Sequence, residues 1–303
     1  MSVSRPRATL DLTDIQGNIL RGYRFPLVRY LFFRVSDASG GQRLMRALLP
    51  AVTTAEHWGA GKIPATLNVA CTYGGLVALG VPDSSLQTFP VEFREGMAAR
   101  AVDQLNDWGP SAPERWEPIW RDAAVHVLVA INALSPEMMD ARVEWLQAHA
   151  AESGMTLVGA QACAPLTPTG QEHFGYEDGL ANPAVEGSGV PMQPGSGKLM
   201  PGGTWAPIAA GEFLLGHRDE AGEIPVAPSP RLLARNSSFL VYRKLHQNIA
   251  TFRRYIAEER WACSLLRLRL WRTARRYFAS QRWNRKDAGQ RRCHEKAFHC
   301  SSP

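Results

Sequence analysis

Two stretches of this 303-residue chain echo each other. Tyr30-Leu31-Phe32-Phe33-Arg34 precedes an amphipathic helical pattern, and Phe239-Leu240-Val241-Tyr242-Arg243 precedes another. A strand-helix unit that occurs twice constrains the fold strongly, because each copy presents an apolar face that needs the same kind of cover. Around the first copy the pattern is complete. Val28 to Val35 is a nearly continuous apolar run, long enough for a strand buried on both faces. Leu44, Met45, Leu48 and Leu49 follow at helical spacing, and Pro50 closes that helix. Thr66 to Thr72 alternates like a strand and Ala123 to Ile131 is a second buried run. Met138 to Ala151 is helical, with Met139, Val143, Leu146 and Ala150 on one face, and Thr156 to Ala162 resumes strand character.

The second copy is thinner. From Ala164 to Ala210 the composition shifts to Gly, Pro and Thr, the mark of a long connection. Strand signals return at Glu212 to Gly216 and Ser238 to Leu245, and Leu245, Ile249, Phe252 and Ile256 then form one helical stripe before the pattern runs out near Glu259. This order predicts an α+β fold of duplicated ferredoxin-like domains, the dimeric α+β barrel type, with the second domain incomplete. The predicted boundaries are residues 1–163 for the first domain, 164–259 for the partial second and 260–303 for an atypical tail.

The tail concentrates the charge. Residues 260–303 hold ten Arg and two Lys against Asp287 and Glu295, a balance of +10, which leaves −4 on the first 259 residues of a chain whose net charge is +6. Its basic character therefore points to no nucleic-acid partner, because nothing in the tail gathers the charge onto one face. Arg, Trp, Cys and Ser dominate the tail, without sustained periodicity or caps. A G/C-rich gene read in a shifted frame, or truncated, gives this mixture. Three of the five Cys fall there, leaving Cys71 and Cys163 for the body, too few for a disulfide framework. Met1 to Leu20 shows no apolar signal segment, and no run of about 18 apolar residues follows, so a cytoplasmic protein without membrane contact is expected.

Several motif templates fail. Gly195-Ser196-Gly197-Lys198 lacks the first Gly and the magnesium-binding hydroxyl of a phosphate loop. Cys293-His294 and His299-Cys300 fit no usual zinc spacing, so no metal site is drawn from the protein's own side chains. No Gly-x-Ser-x-Gly elbow occurs. What remains is His173-Phe174-Gly175-Tyr176-Glu177-Asp178-Gly179-Leu180-Ala181-Asn182-Pro183, where two Gly bracket an acidic pair in a turn-forming segment. Such a segment lets backbone approach a flat ligand and projects a carboxylate into a cavity.

Three signatures in order resemble the dye-decolourising (DyP-type) haem peroxidases of the cytoplasmic kind: Asp14-Ile15-Gln16-Gly17-Asn18-Ile19-Leu20, the Gly175 to Gly179 motif, and Gly211-Glu212-Phe213-Leu214-Leu215-Gly216 followed by Asn236-Ser237-Ser238-Phe239-Leu240-Val241. The resemblance covers roughly residues 12 to 258. It implies haem b, with its iron, as cofactor, hydrogen peroxide as oxidant and aromatic small molecules such as dyes or phenols as donors. By resemblance Asp178 is the distal acid-base carboxylate, and backbone at Gly175, Gly179, Leu180 and Ala181 packs on the haem, while Glu177 faces solvent. A distal carboxylate must be ionised beside a low-dielectric face to take a proton.

The family's proximal His, in a Gly-x-His-Ile-Arg-like segment, and its distal Arg, in an Arg-Gly-x-Pro-like segment, have no counterpart after Glu259. Impaired activity is therefore expected of this chain. Among the other His, His126 reads as a core residue, His57 and His149 as surface positions, and His246 as a polar first-turn residue. His173 lies near the motif on its distal side, and His217 stands where the family often has Tyr. Arg243 could meet a haem propionate, but the matching Arg34 in the first half favours a structural role. The alternative to an enzyme is an inactive relative acting only as a dimerising α+β module, hence a homo-oligomer.

Overall fold

A computed structural model describes residues 9–59, 61–164, 171–176 and 182–259. The chain divides into two compact units, residues 1–244 and 245–303.

The first unit is built on a four-stranded antiparallel sheet of β1 (Leu27–Arg34), β2 (Ala65–Cys71), β3 (Val127–Ala133) and β4 (Thr156–Cys163), in the order β2-β3-β1-β4. A one-turn helix, α1 (Gly17–Leu20), precedes it. Helix α2 (Ala38–Leu48) joins β1 to β2, and α3 (Pro136–Glu152) joins β3 to β4. This is the β-α-β-β-α-β order of a ferredoxin-like domain, complete as expected.

β1 has both faces covered because its side chains alternate across the pleat. Leu31 and Phe33 enter the main core with Leu44, Leu48, Val129, Ile131, Val143 and Leu146, on the side of α2 and α3. Phe32 enters a second cluster on the opposite face with Val125, Leu128 and Ala130. The α3 stripe buries Met139, Val143, Leu146 and Ala150, the four residues whose spacing defines it. Ser135 caps that helix by accepting from Met138 N at 3.3 Å, and Pro136 occupies its first turn, where no N–H is missed. Gly40 in α2 admits a close approach: a methyl group there would lie 2.2 Å from Ser153 O, at the end of α3.

The segments after β4 depart from the sequence expectation. Glu212 to Gly216 forms no strand. It continues a 3₁₀ turn (Ala210–Glu212) in which Gly211 N donates to Arg218 O at 2.9 Å and folds the chain back. A side chain on Gly211 would collide with Arg218 backbone at 2.3 Å. Ser238 to Leu245 has strand-type residues but no regular secondary structure. The only pairing after β4 among the described residues, apart from one isolated bridge, is the short ladder of β5 (Lys198–Leu199) with β6 (Trp205–Ala206). In the second unit, residues 249–259 are helical. Asn248 caps them by accepting from Thr251 N at 3.0 Å, so the helix starts four residues later than the stripe from Leu245 implies.

Candidate functional site

The first and third signatures meet in space. Ile15 and Leu20, from the N-terminal signature, bury with Val185, Ala210 and Leu214, and Ile19 and Phe213 pack at the edge of that cluster. Across it, Asn236 Nδ2 donates to Asp14 Oδ2 at 2.6 Å, and Asn236 Oδ1 lies 2.7 Å from His217 Nε2. Asn236 is 6% exposed and sits at φ +64°, a left-handed conformation that Asn tolerates better than most residues. Its backbone N donates to Leu215 O at 3.1 Å, and Leu215 N donates to the carbonyl of the next residue, Ser237, at 3.0 Å. His217 is thus held as a partner of Asn236.

Gln16 works as a side-chain strand on the edge of β2. Its Oε1 accepts from Val69 N at 2.8 Å and from Asn68 Nδ2 at 3.2 Å, and its Nε2 donates to Val69 O at 2.8 Å. Gly17 is required by space: a methyl group there would lie 2.5 Å from Tyr23 Oη and 2.6 Å from Thr54 O. Tyr23, which no sequence pattern flagged, is buried against Trp58 at a centroid distance of 5.3 Å and against Phe25 at 6.2 Å. Burial pushes its phenol up to about 12.

The second signature enters as a turn. Glu172 N donates to Tyr176 O and Gly175 N to Glu172 O, both at 2.9 Å, and Gly175 takes φ +96°. His173, Gly175 and Tyr176 are exposed. Glu177, Asp178, Gly179, Leu180 and Ala181 lie outside the described residues, as do Cys293, His294, His299 and Cys300. The chain resumes at Asn182 beside Gly22, two residues past the N-terminal signature, where a methyl group on Gly22 would lie 2.8 Å from Asn182 Nδ2.

Arg243 is committed to the fold. Its Nη2 donates to both carboxylate oxygens of Asp107 at 2.7 Å, and the Asp107 side chain is only 9% exposed. Beside it Lys244 Nζ meets Glu117 Oε1 at 2.5 Å, and this hydrogen bond lowers the Glu117 carboxyl below its ordinary range. His126 Nδ1 accepts from Val35 N at 3.1 Å, and burial holds the ring toward its neutral form. His149 bonds Trp145 O within α3. Lys198 pairs with Glu220 at 2.5 Å, so the Gly195 to Lys198 stretch is a structural turn and edge.

Hollows on the described surface include the following pair. One, of about 590 Å³, is lined by Thr54, Glu56, His57, Trp58 and Arg142 among others. The other, of about 400 Å³, lies beside Arg231 and Arg235. Neither includes a residue of the Gly175 turn. Among the described residues no group of three or more His, Cys, Asp or Glu could hold a metal ion, and no helix is long and apolar enough to cross a membrane.

A complete ferredoxin-like unit, followed by a second segment whose signatures lock back onto it, defines a protein of the α+β class. Residues 14–162 match the family model described as the DyP dimeric alpha+beta barrel domain. The chain is similar to the dye-decolorizing peroxidase of Mycena epipterygia, 31% identical over 253 residues, covering 82% of this chain and 44% of that protein. It is similar to dye-decolorizing peroxidase msp1 of Mycetinis scorodonius at 30% identity over 255 residues, covering 83% and 46%. A solved structure from a mutational and structural analysis of an ancestral D-type dye decolorizing peroxidase matches with a TM-score of 0.66 and 27% identity, covering 83% of this chain and 53% of that one. The chain belongs to the dye-decolourising peroxidase family, and it spans less than half the length of these two curated relatives.

The described residues do not by themselves fit a haem. His126, His149 and His217 are each engaged by neighbours, and His57 lines a hollow that holds none of the Gly175 turn. Arg243, the one cation weighed for a propionate, is paired with Asp107.

Proposed function

We propose that this chain is by descent a haem-dependent peroxidase that uses hydrogen peroxide to oxidise bulky aromatic donors such as dyes or phenols. The observation that carries the reading is the Asp14-Asn236-His217 junction, which joins the first and third family signatures across 222 positions of sequence. The names of the relatives support the same class of reaction. Asp178 is the acid-base carboxylate in this reading, and the backbone at Gly175, Gly179, Leu180 and Ala181 faces the porphyrin. The division into domains 1–163 and 164–259, with a tail at 260–303, belongs to the same proposal. So does a cytoplasmic setting, which the free thiols of Cys71 and Cys163 support.

The reading includes impairment. No segment after Glu259 matches the pattern of the family's axial His or distal Arg, and the described His126, His149, His217 and Arg243 are each engaged by neighbours. Purification with haem supplied is therefore expected to give no strong Soret band and little dye oxidation. Stoichiometric, His-ligated haem in the 303-residue chain would sink this part of the reading. A second reading, a dimerising α+β module without catalysis, is favoured by the complete four-stranded sheet of the first unit and by the family model's description of that domain as dimeric.

A further inference from the structure

The hollow of about 590 Å³ on the first unit brings two opposite charges and an indole to one surface. One side is the Pro50 to Trp58 connection that leads from α2 toward β2, and Ile63 and Ala65 continue it. Its backbone is fixed by Thr53 N donating to Leu67 O and by Ala55 N donating to Ile15 O, both at 2.8 Å. The Trp58 ring is fixed as well, 5.3 Å from Tyr23 and 6.0 Å from Phe25 between centroids. Arg142 reaches the same hollow from α3, half-buried, with its guanidinium 5.6 Å from the Trp145 ring centroid. At His57 a methyl group on Gly189 would lie 2.4 Å from Nε2, so backbone abuts that edge of the ring. The carboxylate and the guanidinium of the lining are those of Glu56 and Arg142. Among the described residues the Glu56 side chain forms no hydrogen bond or ion pair, and that of Arg142 none beyond its contact with Trp145. Nor do the two pair with each other, their nitrogen and oxygen atoms lying more than 4.0 Å apart.

We infer that this hollow binds a small zwitterion of the free α-amino-acid class carrying an apolar side chain. Charge selects this occupant. A simple anion drawn to Arg142 meets the Glu56 carboxylate, and a simple cation drawn to Glu56 meets the guanidinium, so each gains one attraction and suffers one repulsion. A ligand with both charges satisfies both groups, its carboxylate accepting from Arg142 and its ammonium donating to Glu56. Pro50, Val52, Trp58 and Ile63 offer apolar surface to its side chain, and the volume falls within the range of about 300–1,000 Å³ usual for small-molecule sites. The hollow includes no residue of the Gly175 turn, and the inference stands apart from the peroxidase reading.

Ligand-detected saturation-transfer NMR titrations of the full chain test it with three probes of one aromatic skeleton: L-phenylalanine, phenethylamine without the carboxylate, and 3-phenylpropionate without the ammonium. Phenylalanine is expected to bind about ten-fold or more tightly than either of the others, the usual worth of one charged hydrogen bond. Arg142→Met should weaken phenylalanine by a similar factor and leave it no better than phenethylamine. Glu56→Gln should do the same relative to 3-phenylpropionate. Both variants should keep the wild-type melting temperature within about 2 °C, because neither side chain is paired within the fold. Phenylalanine that does not bind by about 20 mM, three probes of equal affinity, or variants that bind phenylalanine as wild type does would each overturn the inference. The presence or absence of a Soret band moves none of these results.

Discussion

Asn236 spans the distance between two family signatures, donating to Asp14 at 2.6 Å while its carbonyl oxygen meets His217 at 2.7 Å. It does so from a buried, left-handed backbone position. Two costs are therefore separable at this residue. Asn236→Gly keeps the backbone relaxed and loses both side-chain bonds, with an expected loss of about 1–3 kcal/mol. Asn236→Ala loses the same bonds and adds about 1 kcal/mol of left-handed strain. Urea denaturation should rank wild type above Gly and Gly above Ala. Equal stability of all three would mean that the junction does not hold the second segment to the first.

The two ion pairs of the 243–244 segment differ in burial, and their removal should differ accordingly. Arg243→Met strands the Asp107 carboxylate where little water reaches it, an expected loss of about 3 kcal/mol. Lys244→Met removes an exposed pair with Glu117 and should cost less than about 1 kcal/mol. The pH dependence separates them further. The Glu117 carboxyl is lowered in the folded chain, so its contribution is present above the ordinary carboxylate value of 4.5 and is lost as pH falls through the lowered value. Lys244→Met should flatten that acid limb slightly in melts from pH 6 to about pH 3, whereas the loss in Arg243→Met should already be present at neutral pH.

What the sequence disclosed follows from the range over which each signal acts. The α3 stripe of Met139, Val143, Leu146 and Ala150 was legible because a helix satisfies its own backbone, leaving only the buried face to be read from spacing. β1 was legible because an apolar run of that length has to be covered on both sides. β3 was read four residues early at its start. The apolar character begins at Ala123, but that residue turns at φ +48° and the ladder opens only at Val127. Phe239 to Tyr242 repeats the β1 pattern and still forms no strand, since a strand needs a neighbour and local composition does not supply one. The Asp14-Asn236 bond, between polar residues at the two ends of the matched region, left no periodic trace. The signatures themselves were readable, but their convergence on Ile15, Leu214 and Asn236 was not. Arg243 was weighed correctly as structural, although nothing in the sequence identified Asp107 as its partner.

Gly17 offers a test of the N-terminal signature that involves no charge. A methyl group at this position has Tyr23 Oη on one side and the Thr54 carbonyl on the other. The carbonyl is fixed, because the neighbouring backbone is tied to β2 by Thr53 N donating to Leu67 O at 2.8 Å. Gly17→Ala is expected to cost about 1–3 kcal/mol, the usual range for overpacking. Combining it with Tyr23→Phe, which removes one of the two colliding atoms, should recover part of that loss. A double variant no more stable than Gly17→Ala would place the whole conflict at the Thr54 carbonyl.

Tyr23 carries an alkaline signature of its own. Its hydroxyl is buried, and burial pushes the phenol up to about 12 against the smaller opposing pull of the neighbouring Asn68 side chain and Asn18 backbone. A folded value above the unfolded value of about 10 stabilises the folded chain fully below pH 10. That contribution disappears as pH rises from 10 through about 12, because the unfolded chain releases the proton first. Tyr23→Phe removes the titration and keeps the ring packed against Trp58 and Phe25. It should therefore change neutral-pH stability by no more than about 1 kcal/mol, while flattening the fall in melting temperature between pH 9 and about pH 11. An unaltered alkaline limb in Tyr23→Phe would show that the phenol ionises as easily in the folded chain as in the unfolded one, contrary to its position between Trp58 and Phe25.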